Sequence, residues 1–274
     1  IPVKLIANAR MYAVNEGVGA YWRELIAWIA TRARVPLELI DHPPPAPLGA
    51  LWRRPDLGTA TMCGYPLATW TNASPPVPIA TPVPSPEAFA GRAFYWTDIV
   101  VRADSRFERD DDLAGARLGW TTEDSQSGYQ APRRHFAARA LARGGRFFAS
   151  TVGPLVTPRR VVESILDGTI DAGPLDAYWH ALLRRHEPET AARLRVIART
   201  EATPMPCFVA ASCTPGRERE SLCDAFVDAG VAPGLRDVLE GLAIVRFERV
   251  GADAYRILAR QALEVDALGY ARLA

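Results

Sequence analysis

From residue 116 to residue 200, short apolar runs alternate with amphipathic or alanine-rich stretches. This rhythm constrains the fold more than any other feature of the chain. Residues 116–121 read as a buried strand and 130–143 as a helix. Strand 146–151 precedes helix 158–167, short strand 170–174 precedes helix 177–185, and residues 194–200 form another strand. A βαβ rhythm of this kind implies an α/β fold, with a mostly parallel sheet and helices on both faces.

The flanking segments carry the same signals less regularly. Residues 3–7, 37–40 and 59–63 read as strands, 19–34 as an amphipathic helix, and 47–54 and 66–71 as short helices. The cluster Pro43-Pro44-Pro45 forces extended backbone. Residues 77–83 contain prolines and are expected at a sheet edge at best. Residues 95–102 read as a strong strand. Strand 207–211, helices 218–228 and 235–242, strand 243–248 and helix 252–263 complete the chain. The pattern predicts two α/β lobes, each a mostly parallel sheet flanked by helices. Residues 1–96 and 204–274 would form a discontinuous first lobe, with 97–203 inserted as the second. Two extended crossings, near Trp96-Thr97 and Ala202-Thr203, would make a two-strand hinge beside an interlobe cleft.

Composition narrows the function classes. The chain has 274 residues, 49% of them hydrophobic and 23% charged, enough for a full core. A formal net charge of +1 gives no general nucleic-acid or membrane surface. No apolar run reaches the length that spans a bilayer. The first residue is Ile1 rather than methionine, which is read as a trimmed or mature form, with a lost export signal left open. Cys63, Cys207, Cys213 and Cys223 form no CxxC pair and have no histidine at zinc spacing, so no metal and no cofactor are expected. Cys213 and Cys223 could bridge in an oxidising compartment or stay free.

Asp124-Ser125-Gln126-Ser127-Gly128-Tyr129 lies between a strand and a helix. The first N–H groups of a helix lack intrahelical partners, and the dipole there favours negative charge. Ser125 and Ser127 add hydroxyl donors, and Gly128 allows close approach to the backbone. The plainer alternative is an ordinary N-cap. Ligands of open α/β sheets bind outside the carboxyl ends of strands. Four further loops therefore matter: Asn8 to Tyr12, Met62 to Pro66, Tyr95 to Asp98 and Asp171 to Asp176.

On these residues the chain resembles the phosphate/phosphonate-type substrate-binding proteins of ABC transporters, which have the type 2 periplasmic binding fold. The resemblance rests on Met62-Cys63-Gly64-Tyr65-Pro66-Leu67, Ser125-Gln126-Ser127-Gly128-Tyr129, the run from Gly168 to Asp176, and Thr203-Pro204-Met205-Pro206. It implies that Ser125 and Ser127, with the N–H groups of Gln126 and Gly128, hold an anionic head group, with Tyr129 closing the motif. Thr97 would donate a hydroxyl, Tyr12 and Tyr65 phenol groups and flat walls, and Asp176 would face the distal part of the ligand. The plainer readings are packing aromatics for Tyr12 and Tyr65 and a helix N-cap for Asp176. The family often carries a histidine early in the helix after strand 146–151; here the stretch is Val156-Thr157-Pro158-Arg159-Arg160. Thr157 would donate a hydroxyl there, and Arg159 or Arg160 is either an oxyanion clamp or a solvated charge. Phosphate, phosphonate, sulfonate, carboxylate and phosphorylated small molecules all remain candidate ligands.

The resemblance further implies a periplasmic or exported monomer that delivers a small anionic ligand to a membrane permease and binds no nucleic acid. No catalytic residues stand out. His42, His135, His180 and His186 have no nucleophile or carboxylate at triad spacing, and no GxGxxG or phosphate-loop lysine occurs. Two alternatives accompany this reading. One is a ligand-sensing domain acting through a partner. The other is an enzyme like the thiamine-pyrimidine synthases that share the fold, whose dense cysteine motif Cys63 alone does not reproduce.

Overall fold

The computed structural model describes residues 4–274, so Val3, the first residue of the expected strand 3–7, lies outside the described residues. The chain divides into two compact units. One holds the residues up to Phe94 with Pro204–Tyr255, and the other holds Tyr95–Thr203 with Arg256–Ala274.

Up to Phe94 the chain forms β1 (Leu5–Asn8), α1 (Glu16–Ala33), β2 (Leu37–Leu39), α2 (Leu48–Trp52), β3 (Leu57–Met62), α3 (Gly64–Ala68) and β4 (Val77–Pro84). The first crossing is β5 (Phe94–Tyr95). The second unit then builds β6 (Thr97–Arg102), β7 (Arg117–Gly119), α4 (Ala131–Leu141), β8 (Ser150–Val152), α5 (Pro158–Leu166), β9 (Ala172–Asp176), α6 (Ala177–His186), α7 (Pro188–Ala192) and β10 (Leu194–Arg199). The return crossing is β11 (Thr203–Pro204), which pairs with β5. β12 (Cys207–Ala210), α8 (Gly216–Ala229), α9 (Arg236–Gly241), β13 (Ile244–Glu248) and α10 (Arg256–Ala267) follow.

The first unit is a six-stranded sheet in the order β13-β4-β12-β3-β1-β2. β1 pairs in parallel with β2 and β3, while β12 and β13 run antiparallel to their neighbours. The sheet is thus mixed rather than mostly parallel, because the returning chain enters it from the opposite end. Its core centres on Phe208 of β12, with ring centroids of Trp22, Phe226 and Phe247 at 5.7, 4.6 and 6.1 Å. Asn15 starts α1 by accepting from the Val18 N–H, and Arg34 ends it at φ 55°.

β4 corrects the edge-strand expectation, since it lies between β13 and β12. Proline lacks an N–H for the ladder, which usually excludes it from such a place. Here the register slips on both sides, between Phe208 and Val209 and between Ile244 and Arg246. Bulges of this kind accommodate the missing donors of Pro78, Pro82 and Pro84.

The second unit is a five-stranded sheet in the order β10-β6-β9-β7-β8. The parallel pairs expected from the alternation are present at β7 with β8 and β9, whereas β6 and β10 run antiparallel. The expected strand 146–151 shortens to β8, because Phe147 and Phe148 turn inward onto Phe136 at 5.3 and 4.9 Å.

The sequence pattern groups residues 256–274 with the first lobe, yet they pack in the second unit. The buried Arg133 of α4 explains this. It reaches Asp266 at 2.5 Å and the carbonyls of Ala262, Tyr270 and Ala271 at 3.1–3.2 Å. Tyr270 and Leu273 join the core around Phe136. Arg133→Leu strands those carbonyls and is expected to lower stability by about 3 kcal/mol, read by urea unfolding, with α10 becoming protease-sensitive first. A loss below 1 kcal/mol contradicts this account of how α10 is held.

All four cysteines are free thiols, so Cys213 and Cys223 do not bridge. Their sulfurs donate instead to the carbonyls of Pro55 and Ile79. Among the described residues no helix is long and apolar enough to cross a membrane, and no cluster of metal-ligating side chains is present.

Candidate functional site

The second unit gathers candidate residues at one end of its sheet. The carboxyl ends of β7, β8 and β9 meet the start of β6 there, with Thr97 opposite Asp176 and Gly119 opposite Val152. The Ser125–Gly128 turn follows β7. Its winding at Gln126–Gln130 is π-helical and runs directly into α4. Such wide turns are rare and recur at functional sites.

Ser125 is the N-cap of this helical run. Its Oγ accepts the Gly128 N–H at 2.9 Å, and its carbonyl accepts from Tyr129 and Gln130. Two expectations change as a result. The Gly128 N–H is held by Ser125 rather than offered to a ligand, and the hydroxyl of Ser125 has a capping duty. Gly128 is needed for a protein contact: a Cβ there would come within 1.8 Å of Thr121 Oγ1. The N–H and hydroxyl of Ser127, in contrast, make no hydrogen bond among the described residues. Ser127 is 9% exposed. Gln126 is buried beside it.

Thr97 supports this turn from β6. Its hydroxyl donates to the Ser127 carbonyl at 3.0 Å, so that proton is committed inside the protein. Its own N–H donates to Thr200 Oγ1 at 3.0 Å. Tyr129 is buried edge-on to Trp120, with centroids 5.2 Å apart, and its hydroxyl accepts from the Leu273 N–H at 3.3 Å. It anchors the C-terminal segment.

After β8, Thr157 caps α5 by accepting from the Arg160 N–H at 3.2 Å. Arg159 forms a bidentate pair with Glu187 at 2.8 and 2.6 Å and lies 5.6 Å from the ring centre of Trp179. Arg160 pairs with Glu163 on the surface. Asp176 Oδ1 caps α6 by accepting from Tyr178 and Trp179 at 2.8 and 3.0 Å. The cap reading therefore holds for Ser125 and Asp176, and Thr157, expected as a hydroxyl donor, is a cap as well.

Sequence reasoning missed a buried charge network one residue from Thr97. Asp98 and His180, with side chains 3% and 2% exposed, meet at 2.7 Å. Asp98 Oδ1 also accepts from the Trp96 indole at 2.9 Å and faces Arg199 Nε at 3.3 Å. Burial pushes the Asp98 carboxyl up, but the hydrogen bonds and charges of His180, Trp96 and Arg184 outweigh it and hold the carboxyl below its usual range. Asp98 and His180 are 82 residues apart, so no local spacing signals the pair.

Tyr12 and Tyr65 belong to the first unit. Tyr12 is buried in a 3-10 turn after β1, and its carbonyl accepts the Trp22 indole at 3.2 Å. The turn is shaped by Asn8, whose Oδ1 accepts from the Arg10 N–H at 3.0 Å. Tyr65 lies half-buried on α3, which follows the neighbouring strand β3.

Residues 18–255 match the family described as ABC transporter, phosphonate, periplasmic substrate-binding protein. Among solved structures, the chain is similar to a binding protein component of an ABC phosphonate transporter from Pseudomonas aeruginosa. The identity is 15% and the TM-score 0.82, over 97% of this chain and 87% of that one. It is also similar to PhnD1 from Prochlorococcus marinus in complex with methylphosphonate, at 16% identity and TM-score 0.76, over 97% and 99% of the two chains. A third likeness is to the alkanesulfonate-binding protein SsuA from Xanthomonas axonopodis pv. citri bound to MOPS, at 16% identity and TM-score 0.61, over 98% and 94%. No curated protein matches the chain by sequence. These likenesses carry the fold, the two-lobed α/β architecture of the type 2 periplasmic binding proteins.

Proposed function

Because the chain belongs to the family of periplasmic substrate-binding proteins of ABC phosphonate transporters, we propose that it captures a small oxyanion and delivers it to a membrane permease. Its family consists of binding proteins rather than enzymes. In this reading the chain acts as an exported monomer, binds without turnover and needs no cofactor. Ser127 N–H and Oγ, with the Ser125 hydroxyl, hold the anionic head at the helix N-terminus, where the dipole favours negative charge. Thr97 and Gly128 keep the turn in shape for that contact. Thr157 and Asp176, both engaged as caps, border the ligand's distal part.

The observation that carries this reading is Ser127. Its two donors are uncommitted among the described residues, while every neighbouring hydroxyl of the ten candidate residues on that turn and on β6 has an internal bond. Donors left without partners at a helix start are suited to an oxyanion. PhnD1 is in complex with methylphosphonate, and a phosphonate is accordingly the first candidate head group.

A thermal-shift screen against methylphosphonate, inorganic phosphate, phosphate esters, sulfonates and small carboxylates tests the proposal. A ligand at a hundred times its Kd adds about 2.7 kcal/mol, enough to move the midpoint by several degrees. A shift with phosphonate or phosphate and none with carboxylates is expected. No shift with any of these anions contradicts the proposal.

A further inference from the structure

Thr121 follows β7 and carries a hydroxyl that the fold itself does not use. The residue is 5% exposed, and its Oγ1 is buried with no hydrogen-bond partner among the described residues. Its backbone is held on both sides: the N–H donates to the Gly128 carbonyl at 3.3 Å, and the carbonyl accepts from the Val156 N–H at 3.1 Å. Val156 itself stands at φ 69°, where a β-branched residue is rarely found. Leaving a buried hydroxyl unmatched is unfavourable, and a valine would fill the same volume without that cost.

The position of the hydroxyl suggests its use. A Cβ built on Gly128 would lie 1.8 Å from Thr121 Oγ1 and 2.9 Å from Ser125 Oγ, so both oxygens pack against the same glycine. Ser125 Oγ already accepts the Gly128 N–H. A serine oxygen has two lone pairs and one proton. One lone pair is thus taken, and a second lone pair and the proton remain.

We infer that Thr121 is a positioning residue for the oxyanion site: its hydroxyl donates to Ser125 Oγ while the Ser125 proton is given to the bound oxyanion. All hydrogen-bonding capacity around Ser125 is then filled, and the chain of donors polarises toward the ligand. Thr121 Oγ1 has no partner among the described residues, so this hydrogen bond forms only with the ligand. Thr121 acts through Ser125 and does not touch the ligand, which fits its burial. The inference rests on the reading that the Ser125–Gly128 turn binds an oxyanion.

The test is calorimetric titration with methylphosphonate and with inorganic phosphate. The proteins are wild type, Thr121→Val, Thr121→Ser, Ser125→Ala, Ser127→Ala and the Thr121→Val/Ser125→Ala double variant. Thr121→Val is expected to weaken binding roughly three- to tenfold. Its ligand-free melting temperature stays at or above that of wild type, because no existing bond is lost. Thr121→Ser, which keeps the hydroxyl, retains wild-type affinity. The double variant binds no more weakly than Ser125→Ala alone, a non-additivity that a packing role does not produce. Wild-type affinity in Thr121→Val beside a weakened Ser127→Ala overturns the inference and leaves the oxyanion site standing. Additive losses in the double variant also overturn it. If wild type binds neither probe, or both serine variants match wild type, the oxyanion reading fails and this inference fails with it.

Discussion

Asp98→Ala is expected to lower the unfolding free energy by about 3–5 kcal/mol, the usual consequence of removing one partner of a buried pair. The substitution takes from His180 its 2.7 Å contact and from the Trp96 indole an acceptor, both in the interior of the second unit. Asp98→Asn keeps the shape and one acceptor and should lose less. The charge also gives the effect a pH signature. The folded-state carboxyl lies below its ordinary value of 3.8. Its stabilising contribution is therefore fully present above that value and is lost as pH falls below it through the folded-state pKa. Urea unfolding of wild type and Asp98→Asn between pH 3 and pH 7 should converge at the acid end. A gap that persists unchanged to the lowest pH contradicts the assignment of charge to Asp98.

The Ser125→Ala/Ser127→Ala double variant is expected to weaken oxyanion binding by at least about a hundredfold. Each charge-assisted hydrogen bond contributes roughly 1.5–3 kcal/mol, and 1.4 kcal/mol is tenfold in affinity. The two serines separate in stability. Ser125 caps the helical run, so its replacement costs about 1 kcal/mol of folding free energy. Ser127 has no internal side-chain bond, so Ser127→Ala alone should leave the melting temperature within a degree or two. A Ser127→Ala protein that melts normally yet binds as tightly as wild type contradicts the role given to this turn.

The parts of the fold that were legible in sequence are those where local period and sheet position agree. The alternation after residue 116 announced parallel pairing, which β7 makes with β8 and β9, because each intervening helix is long enough to read. Residues 77–83 misled because proline speaks for an edge, and only the two register slips beside β4 make it tolerable inside. The C-terminal helix misled for a different reason: its place depends on Arg133, more than 120 residues earlier, and on the buried Tyr270 and Leu273. At the candidate site the run from Ser125 to Gly128 stood out correctly as a helix start. Which of its donors are occupied inside the protein could not be read, because Thr97, Thr121 and Gly128 meet there only after the sheet has formed. The pair Asp98–His180 likewise exists only across β6 and α6.

Ser127, at the start of the helical run, is proposed to hold the head group of a small oxyanion. A crystal structure with the anion that gives the largest thermal shift tests it most directly. Head-group oxygens are expected within about 2.7–3.2 Å of Ser127 N and Ser127 Oγ, the range of ordinary hydrogen bonds. A head group bound elsewhere, with both Ser127 donors left on water, would contradict it.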